Sequence, residues 1–225
     1  MIPDFGVEPY TDDSARIADK REHALIGLSP WNGYFSTRMV RALIEWAAQN
    51  FDTIDVVIPS YESAYTLIAA GTKPQHAVRQ ARRAVKKLRS PALRALREVD
   101  LGESHLHTTT TLTVRPRYVD LRRKASDGYR NDPALRGACR HLARTAVLHA
   151  GGDEPSTPQL DTAARYAIAE LPLFTDSPGI FDVESSVVIY HQHIELADPL
   201  LAGDTTALTM APEQGFVIAS PTQAV

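Results

Sequence analysis

Three short, almost wholly apolar runs constrain this chain more than any other feature: "ALIGL" at 24–28, "IDVVIP" at 54–59 and "SVVIY" at 186–190. Runs with no polar alternation suit strands covered on both faces, as in a parallel sheet. Between the first two lies "FSTRMVRALIEWAAQNF", where Met39, Val40, Leu43, Ile44, Trp46 and Ala47 recur at helical spacing. After the second, "YESAYTLIAAG" reads as a helix stopped at Gly71. Strand, helix, strand, helix is the rhythm of βαβ units, so the expected class is α/β with a predominantly parallel sheet.

The remaining elements fit this rhythm. "HTTTTLTV" (107–114) is β-branched and alternating, and is expected to be a strand. Residues 118–130 and 133–149 read as helices, and "AGGDEPSTP" as an exposed loop. Ser156 or Thr157 then caps a helix expected to run to about Leu171, and "QGFVIAS" supplies one more strand. A length of 225 residues suits a single domain, 1–225, with 1–20 and 221–225 peripheral or flexible. Cys139 is the only cysteine, so no internal disulfide forms. No apolar run approaches the roughly 20 residues needed to cross a bilayer, and the acidic N-terminus has no apolar leader core. A cytoplasmic protein is expected.

Charge is unevenly spread. The net charge is −3, yet Lys73, Arg79, Arg82, Arg83, Lys86, Lys87, Arg89, Arg94 and Arg97 follow one another without an intervening acid. The stretch reads as an amphipathic helix, with Val78, Ala81, Val85, Leu88 and Leu96 as its apolar stripe and Pro91 as an expected kink. A cationic face free of carboxylates suits a phosphate backbone, contacted without base-reading motifs. A solvated helix face is the plainer reading, though surface helices normally mix signs. Weak aromatic content on the apolar side argues against a membrane surface.

Ligands of open α/β sheets bind beyond the carboxyl ends of the strands. Ser29 and Tyr190 fall where apolar runs end, and Gly27 leaves room for close approach of a substrate. Ser-Pro and Asn-Gly are also ordinary turn dipeptides, so position alone leaves Ser29 open. The serine-hydrolase elbow G-x-S-x-G is not met, because Trp31 holds its fifth position. Tyr166 and Glu170, four apart, share one helix face and could hold an ammonium group or relay its proton. The pairs His105/His107 and His191/His193 lack a third ligand at recognisable spacing, so no metal is expected. Neither a P-loop nor a dinucleotide fingerprint occurs, and no cofactor is expected.

Together "HALIGLS" (23–29) and "YAIAELP" (166–172) resemble the two signatures of the cyclodipeptide synthases, H-x-[LVI]-[LVI]-G-[LVI]-S and Y-[LVI]-x-x-E-x-P. The first matches throughout; the second departs only at Ala167, where a larger aliphatic is usual. The likeness extends from about His23 to His191 and includes "LFTDSPGIFDVESSVVIYH". It implies a Rossmann-like fold, helices on both faces, similar to the catalytic domain of class I tyrosyl- and tryptophanyl-tRNA synthetases. It also implies an aminoacyltransferase that joins the amino acids of two aminoacyl-tRNAs into a 2,5-diketopiperazine by a ping-pong route.

Position by position, the resemblance makes Ser29 the nucleophile, carrying aminoacyl and then dipeptidyl esters. Tyr166 and Glu170 would hold the amine, and Tyr190 would position the acyl group and relay protons. Asn32, Tyr190 and His191 match the subfamily marked by Asn, Tyr and His. Leu25, Gly27, Val57, Pro59, Leu173 and Val188 would border the first side-chain pocket, and His149 the second. Gly71 and Tyr118 match two further family positions, which would contribute to substrate binding. The nine cations would engage tRNA, and the protein would act as a monomer without metal, DNA or membrane. His193 stands where some relatives have an acid, which leaves its role open. The competing readings are a tRNA-binding protein without catalysis and a serine esterase or acyltransferase acting on small esters.

Overall fold

The apolar runs do assemble into one sheet. In a computed structural model, which describes residues 4–222, six strands lie in the order β1-β6-β5-β2-β3-β4. They are β1 (Phe5–Pro9), β2 (His23–Gly27), β3 (Thr53–Ile58), β4 (Leu106–Thr108), β5 (Ser186–Tyr190) and β6 (Gln214–Pro221). All neighbours are parallel except β1, which runs antiparallel along β6 at the edge. Strand order turns outward on both sides of β2, so the crevice between the ends of β2 and β5 is the topological switch point.

Helices cover both faces. The chain forms α1 (Asp12–Asp19), α2 (Thr37–Asn50), α3 (Ala64–Ala69), α4 (Pro74–Glu98), α5 (Pro116–Asn131), α6 (Pro133–His149), α7 (Thr157–Phe181) and α8 (Asp198–Leu201). On one face Ala24, Ile26 and Leu28 meet Val40, Leu43 and Ile44 of α2 and Leu88 and Leu96 of α4. On the other, Leu25, Val57 and Val188 meet α5, α6 and α7 through Leu121, Leu135, Ala164 and Leu171. This alternation along β2 is the period-2 rule of a strand buried on both sides. Side chains punctuate the helices: Ser36 accepts the Met39 N–H at the start of α2, and Asp132 accepts from Ala134 and Leu135 at the start of α6.

Four local expectations are corrected. The threonine run is a strand only over Leu106–Thr108; Thr111–Val114 form a 3-10 turn. Thr108 and Thr111 exchange backbone-to-hydroxyl bonds of 2.8 and 3.1 Å, and this local pairing wins over β-propensity. Helix α7 continues past Leu171 to Phe181, with Asp176 alone leaving helical geometry. Helix α4 runs through Pro91 without restarting. Its buried stripe is Ala77, Ala81, Leu88, Ala92, Ala95 and Leu96, while Val78 and Val85 are only half-buried. Residues 5–19, expected to be peripheral, form the edge strand and α1, whose Ile17 is buried against the sheet. Of the segment 221–225, residues 223–225 lie outside the described residues.

Candidate active site

Strand β2 ends at Gly27, and Leu28 still donates its N–H to Val57 at 2.9 Å, so the chain leaves the sheet only at Ser29. Ser29 is half-buried and is followed by Pro30, which has no backbone N–H. Strand β5 ends at Tyr190, whose hydroxyl donates to Ser29 Oγ at 2.8 Å. A Cβ built on Gly27 would lie 3.6 Å from the Tyr190 ring, so the glycine keeps the space beside that ring open.

The loop after Ser29 is held from the same side. Asn32 Nδ2 approaches Tyr190 Oη at 3.4 Å and His191 Nε2 at 2.7 Å, and its Oδ1 accepts the Tyr34 N–H at 3.0 Å. Tyr34 stacks on His191 with ring centroids 4.2 Å apart. Burial holds the His191 imidazole below its ordinary pKa, so it is a neutral acceptor for Asn32. Asn32 and His191 therefore orient Tyr190 without bordering the chamber themselves.

Helix α7 brings the other half. Tyr166 and Glu170, one turn apart on this helix, come up beside Ser29. Burial pushes the Tyr166 phenol well above its ordinary value, with Glu170 and Tyr190 adding to the rise. Burial also pushes the Glu170 carboxyl up to about 7; the neighbouring Tyr166 phenol opposes this and the charge of Glu62 reinforces it. Three hydroxyls and one carboxyl thus gather in one place, and the carboxyl among them titrates near neutrality.

These groups open into a chamber of about 220 Å³ whose lining is mostly apolar. Ser29, Tyr166, Glu170 and Tyr190 line it, as do Leu25, Gly27, Val57, Pro59, Leu173 and Val188. Gly71, Tyr118 and His149, expected near substrate, lie outside its wall. Gly71 ends α3 with φ of 92°, a left-handed conformation that glycine takes freely. Tyr118 is fully buried behind α7 and donates to the Ala169 carbonyl at 2.9 Å. His149 sits exposed at the end of α6.

The lining also contains residues the motifs did not reveal: Phe174 beside Leu173, Leu142 and Thr145 from α6, and the loop Gln192–Glu195. Only the helical period from Tyr166 could have pointed to Phe174; the α6 and loop residues arrive by tertiary packing. His193 stacks on Tyr10 with centroids 4.6 Å apart and meets Asp198 at 2.7 Å. The other histidine pair is engaged at the opposite end of the sheet. His107 Nε2 lies 2.8 Å and His23 Nε2 3.2 Å from Asp55, and His105 Nδ1 lies 3.0 Å from the Ile54 carbonyl.

On α4, Arg79, Arg82, Arg83, Lys86, Lys87, Arg94 and Arg97 are exposed, as is Lys73 just before it. Arg89 is the one of the nine cations with a carboxylate partner among the described residues, Glu103. Arg82, Lys86 and Arg89 edge an open groove with Val78, Val85, Ser60, Tyr61 and Thr110. That groove starts one residue beyond Pro59 of the chamber wall.

A mostly parallel sheet with helices on both faces, and a chamber of hydroxyls at its switch point, defines a Rossmann-like α/β protein. Comparison with known proteins makes the class particular. Residues 5–221 match the cyclodipeptide synthase family model. A cyclo(L-leucyl-L-phenylalanyl) synthase of Streptomyces noursei is 35% identical, over 97% of this chain and 94% of its own. A cyclo(L-leucyl-L-leucyl) synthase of Bacillus subtilis is 32% identical, over 95% and 88%. The solved structure of a Mycobacterium tuberculosis protein, described as showing that cyclodipeptide synthetases are related to type I tRNA synthetases, superposes with a TM-score of 0.84. It is 29% identical and covers 98% of this chain and 97% of its own. The chain belongs to the cyclodipeptide synthase family, and it is an enzyme that forms cyclic dipeptides. The family uses aminoacyl-tRNAs as substrates. Among the described residues no helix is long and apolar enough to cross a membrane.

Proposed function

We propose that this synthase works by covalent catalysis at Ser29, drawing both amino acids from aminoacyl-tRNAs in the cytoplasm. The observation that carries the reading is the grouping of polar side chains around the serine: Ser29 Oγ stands 2.8 Å from the Tyr190 hydroxyl, in a chamber that Tyr166 and Glu170 also line. Ser29 Oγ attacks the ester carbonyl of the first aminoacyl-tRNA. The ribose–acyl bond breaks, and the proton leaving Ser29 returns to the ribose oxygen through the neighbouring phenols. The amine of a second aminoacyl-tRNA then attacks the serine ester. Atom balance places the resulting dipeptide on the second tRNA and frees Ser29 to take it as a new ester. The terminal amine of that ester attacks its own carbonyl, closing the six-membered ring and releasing Ser29. Splitting one transfer into ester exchanges is the advantage of a nucleophile, and the last step gains from being intramolecular.

Glu170 and Tyr166 are the groups that receive the amine. An α-amino group has a pKa of about 8, so a carboxyl near 7 is matched to take its proton with little thermodynamic penalty. No step needs ATP or a metal, because the aminoacyl ester is already activated. Leu25, Val57, Pro59, Leu173 and Val188 make a pocket for an aliphatic or aromatic side chain, in keeping with the leucyl and phenylalanyl products of the two relatives. The cations of α4 hold the tRNA backbone, and the groove beside Pro59 leads its end toward Ser29. The chain acts as a monomer.

Mass spectrometry of protein incubated with a full pool of charged tRNAs tests this. Wild type is expected to release cyclic dipeptides and to trap an aminoacyl mass on the Ser29 peptide, and Ser29→Ala to do neither. Product formation by a folded Ser29→Ala variant would refute the covalent route.

A further inference from the structure

One fully buried carboxylate takes no part in the steps above. Glu62 lies in the short 3-10 turn after β3 and is 0% exposed. Thr109 Oγ1 donates to its Oε2 at 2.6 Å, and Arg122 Nη2 donates to its Oε1 at 3.1 Å. Thr109 itself accepts the Ser60 N–H at 2.9 Å, tying the turn to the end of β4. Arg122 stands one helical turn from Tyr118 on α5, and the Tyr118 hydroxyl donates to the carbonyl of Ala169, the residue before Glu170. Hydrogen bonds thus join Thr109, Glu62 and Arg122, and the same helix, one turn earlier, is bonded to the turn of α7 that carries the reacting carboxyl.

Stability alone does not account for this arrangement. Taking an ion pair out of water usually offsets its own attraction, and apolar replacements are often no less stable. Here the pair is placed behind the one carboxyl whose charge matters to the chemistry. We infer that Glu62 and Arg122 are positioning residues for the aminoacyl-transfer site: they anchor the Glu170 turn and set the balance of charge that Glu170 meets from behind. This rests on Glu170 acting in the proposed reaction.

The sign of each half follows from Coulomb's law. The negative charge of Glu62 disfavours the Glu170 carboxylate, in agreement with the upward push it exerts there. The guanidinium of Arg122 favours that carboxylate and is masked by Glu62. The other titratable groups around Glu170 are Tyr166 on its own helix, Tyr190 from the sheet and Tyr118 from α5. At the chamber mouth stand His193, paired with Asp198, and Glu195, paired with His141. Of these, Tyr118 also meets the charges of Arg122 and Glu62, and burial keeps its phenol above the ordinary value.

Glu62→Gln keeps the shape and the acceptor for Thr109 but uncovers Arg122. Arg122→Gln does the reverse. NMR titration of the ¹³C-labelled side-chain carboxyls, with Glu170→Gln identifying the resonance, reads Glu170 directly. Its midpoint is expected to fall in Glu62→Gln and to rise in Arg122→Gln, each by about half a pH unit or more. The acid limb of cyclic dipeptide formation moves with it. Glu62→Asp, which keeps the charge, is expected to retain the wild-type midpoint and reports on the role if Glu62→Gln fails to fold. Midpoints that stay put, or move in the same direction in both variants, overturn the inference. A wild type that makes no cyclic dipeptide refutes the reaction instead, and the titration is read all the same.

Discussion

At the scale of single residues, the site places unlike neighbours on one carboxyl and obtains a group that titrates where amines do. The same placement has a cost in stability. A carboxyl at about 7 in the folded chain and near 4.3 in the unfolded chain favours folding fully only below the unfolded value. That contribution is lost as pH rises from about 4 through 7. Glu170→Gln, which stays neutral, is therefore expected to match wild type in thermal unfolding at pH 4 and to exceed it at pH 8. One kcal/mol corresponds to about 2–4 °C for a chain of this size, so the difference is within reach of calorimetry. Equal melting temperatures at pH 8 would show that Glu170 titrates normally. The residues bearing this chemistry were legible in the sequence because they sit in two short motifs; Glu62 and Arg122 were not. Lone charged residues 60 positions apart carry no periodicity, and only packing of the turn against α5 joins them.

At the scale of elements, the strands and the long helices could be read because their periodicity is strong. What escaped was governed by competing local rules. β1 is short and carries both glycine and proline, with four of its five residues exposed, so it shows no apolar alternation. α7 runs through the buried Pro172, then breaks at Asp176, so that Pro178 falls in the first turn of the segment that follows, where its missing donor costs nothing. Helix α4 presents a different test. Its exposed arginines and lysines are expected to contact phosphate, and each lost contact reduces the salt dependence of binding. Arg82→Ala with Arg83→Ala should raise the KM for aminoacyl-tRNA. It should lower the slope of log affinity against log salt by about 2, without preventing acylation of Ser29 by a small activated aminoacyl ester. An unchanged slope would remove these two residues from the tRNA contact.

At the scale of the whole molecule, the sheet separates two polar clusters. The one at the carboxyl ends of the strands is open to substrate; the one at the other end is closed and braces β2, β3 and β4. Burial alone would push the Asp55 carboxyl up, but hydrogen bonds and charge from His107 and His23 hold it at about 2. A carboxyl lowered in the folded state contributes stability above its unfolded value near 4, and that stability is lost as pH falls through 2. Asp55→Asn should consequently destabilise the protein at pH 7 far more than at pH 2, read as the gap in denaturant midpoint from wild type. A gap that is constant with pH would mean that the histidines do not act on Asp55. The fold class followed from the sequence because both faces of the sheet are covered; the division of labour between its two ends did not, since it depends on which side chains cross between strands.

In the reaction proposed for Ser29, the proline that follows it bears on the fate of the ester rather than on its formation. In hydrolases with a nucleophile elbow, the peptide N–H that follows the serine steadies the charge thrown onto the carbonyl oxygen, and water profits from it as readily as any other attacker. Residue 30 has no such proton to offer. A reactant held in place by the chamber gains from proximity what that donor would have supplied, while a passing water molecule gains nothing. On that route the intermediate would live longer, and an enzyme that must wait for a second large substrate to arrive would waste fewer of the amino acids it has already taken.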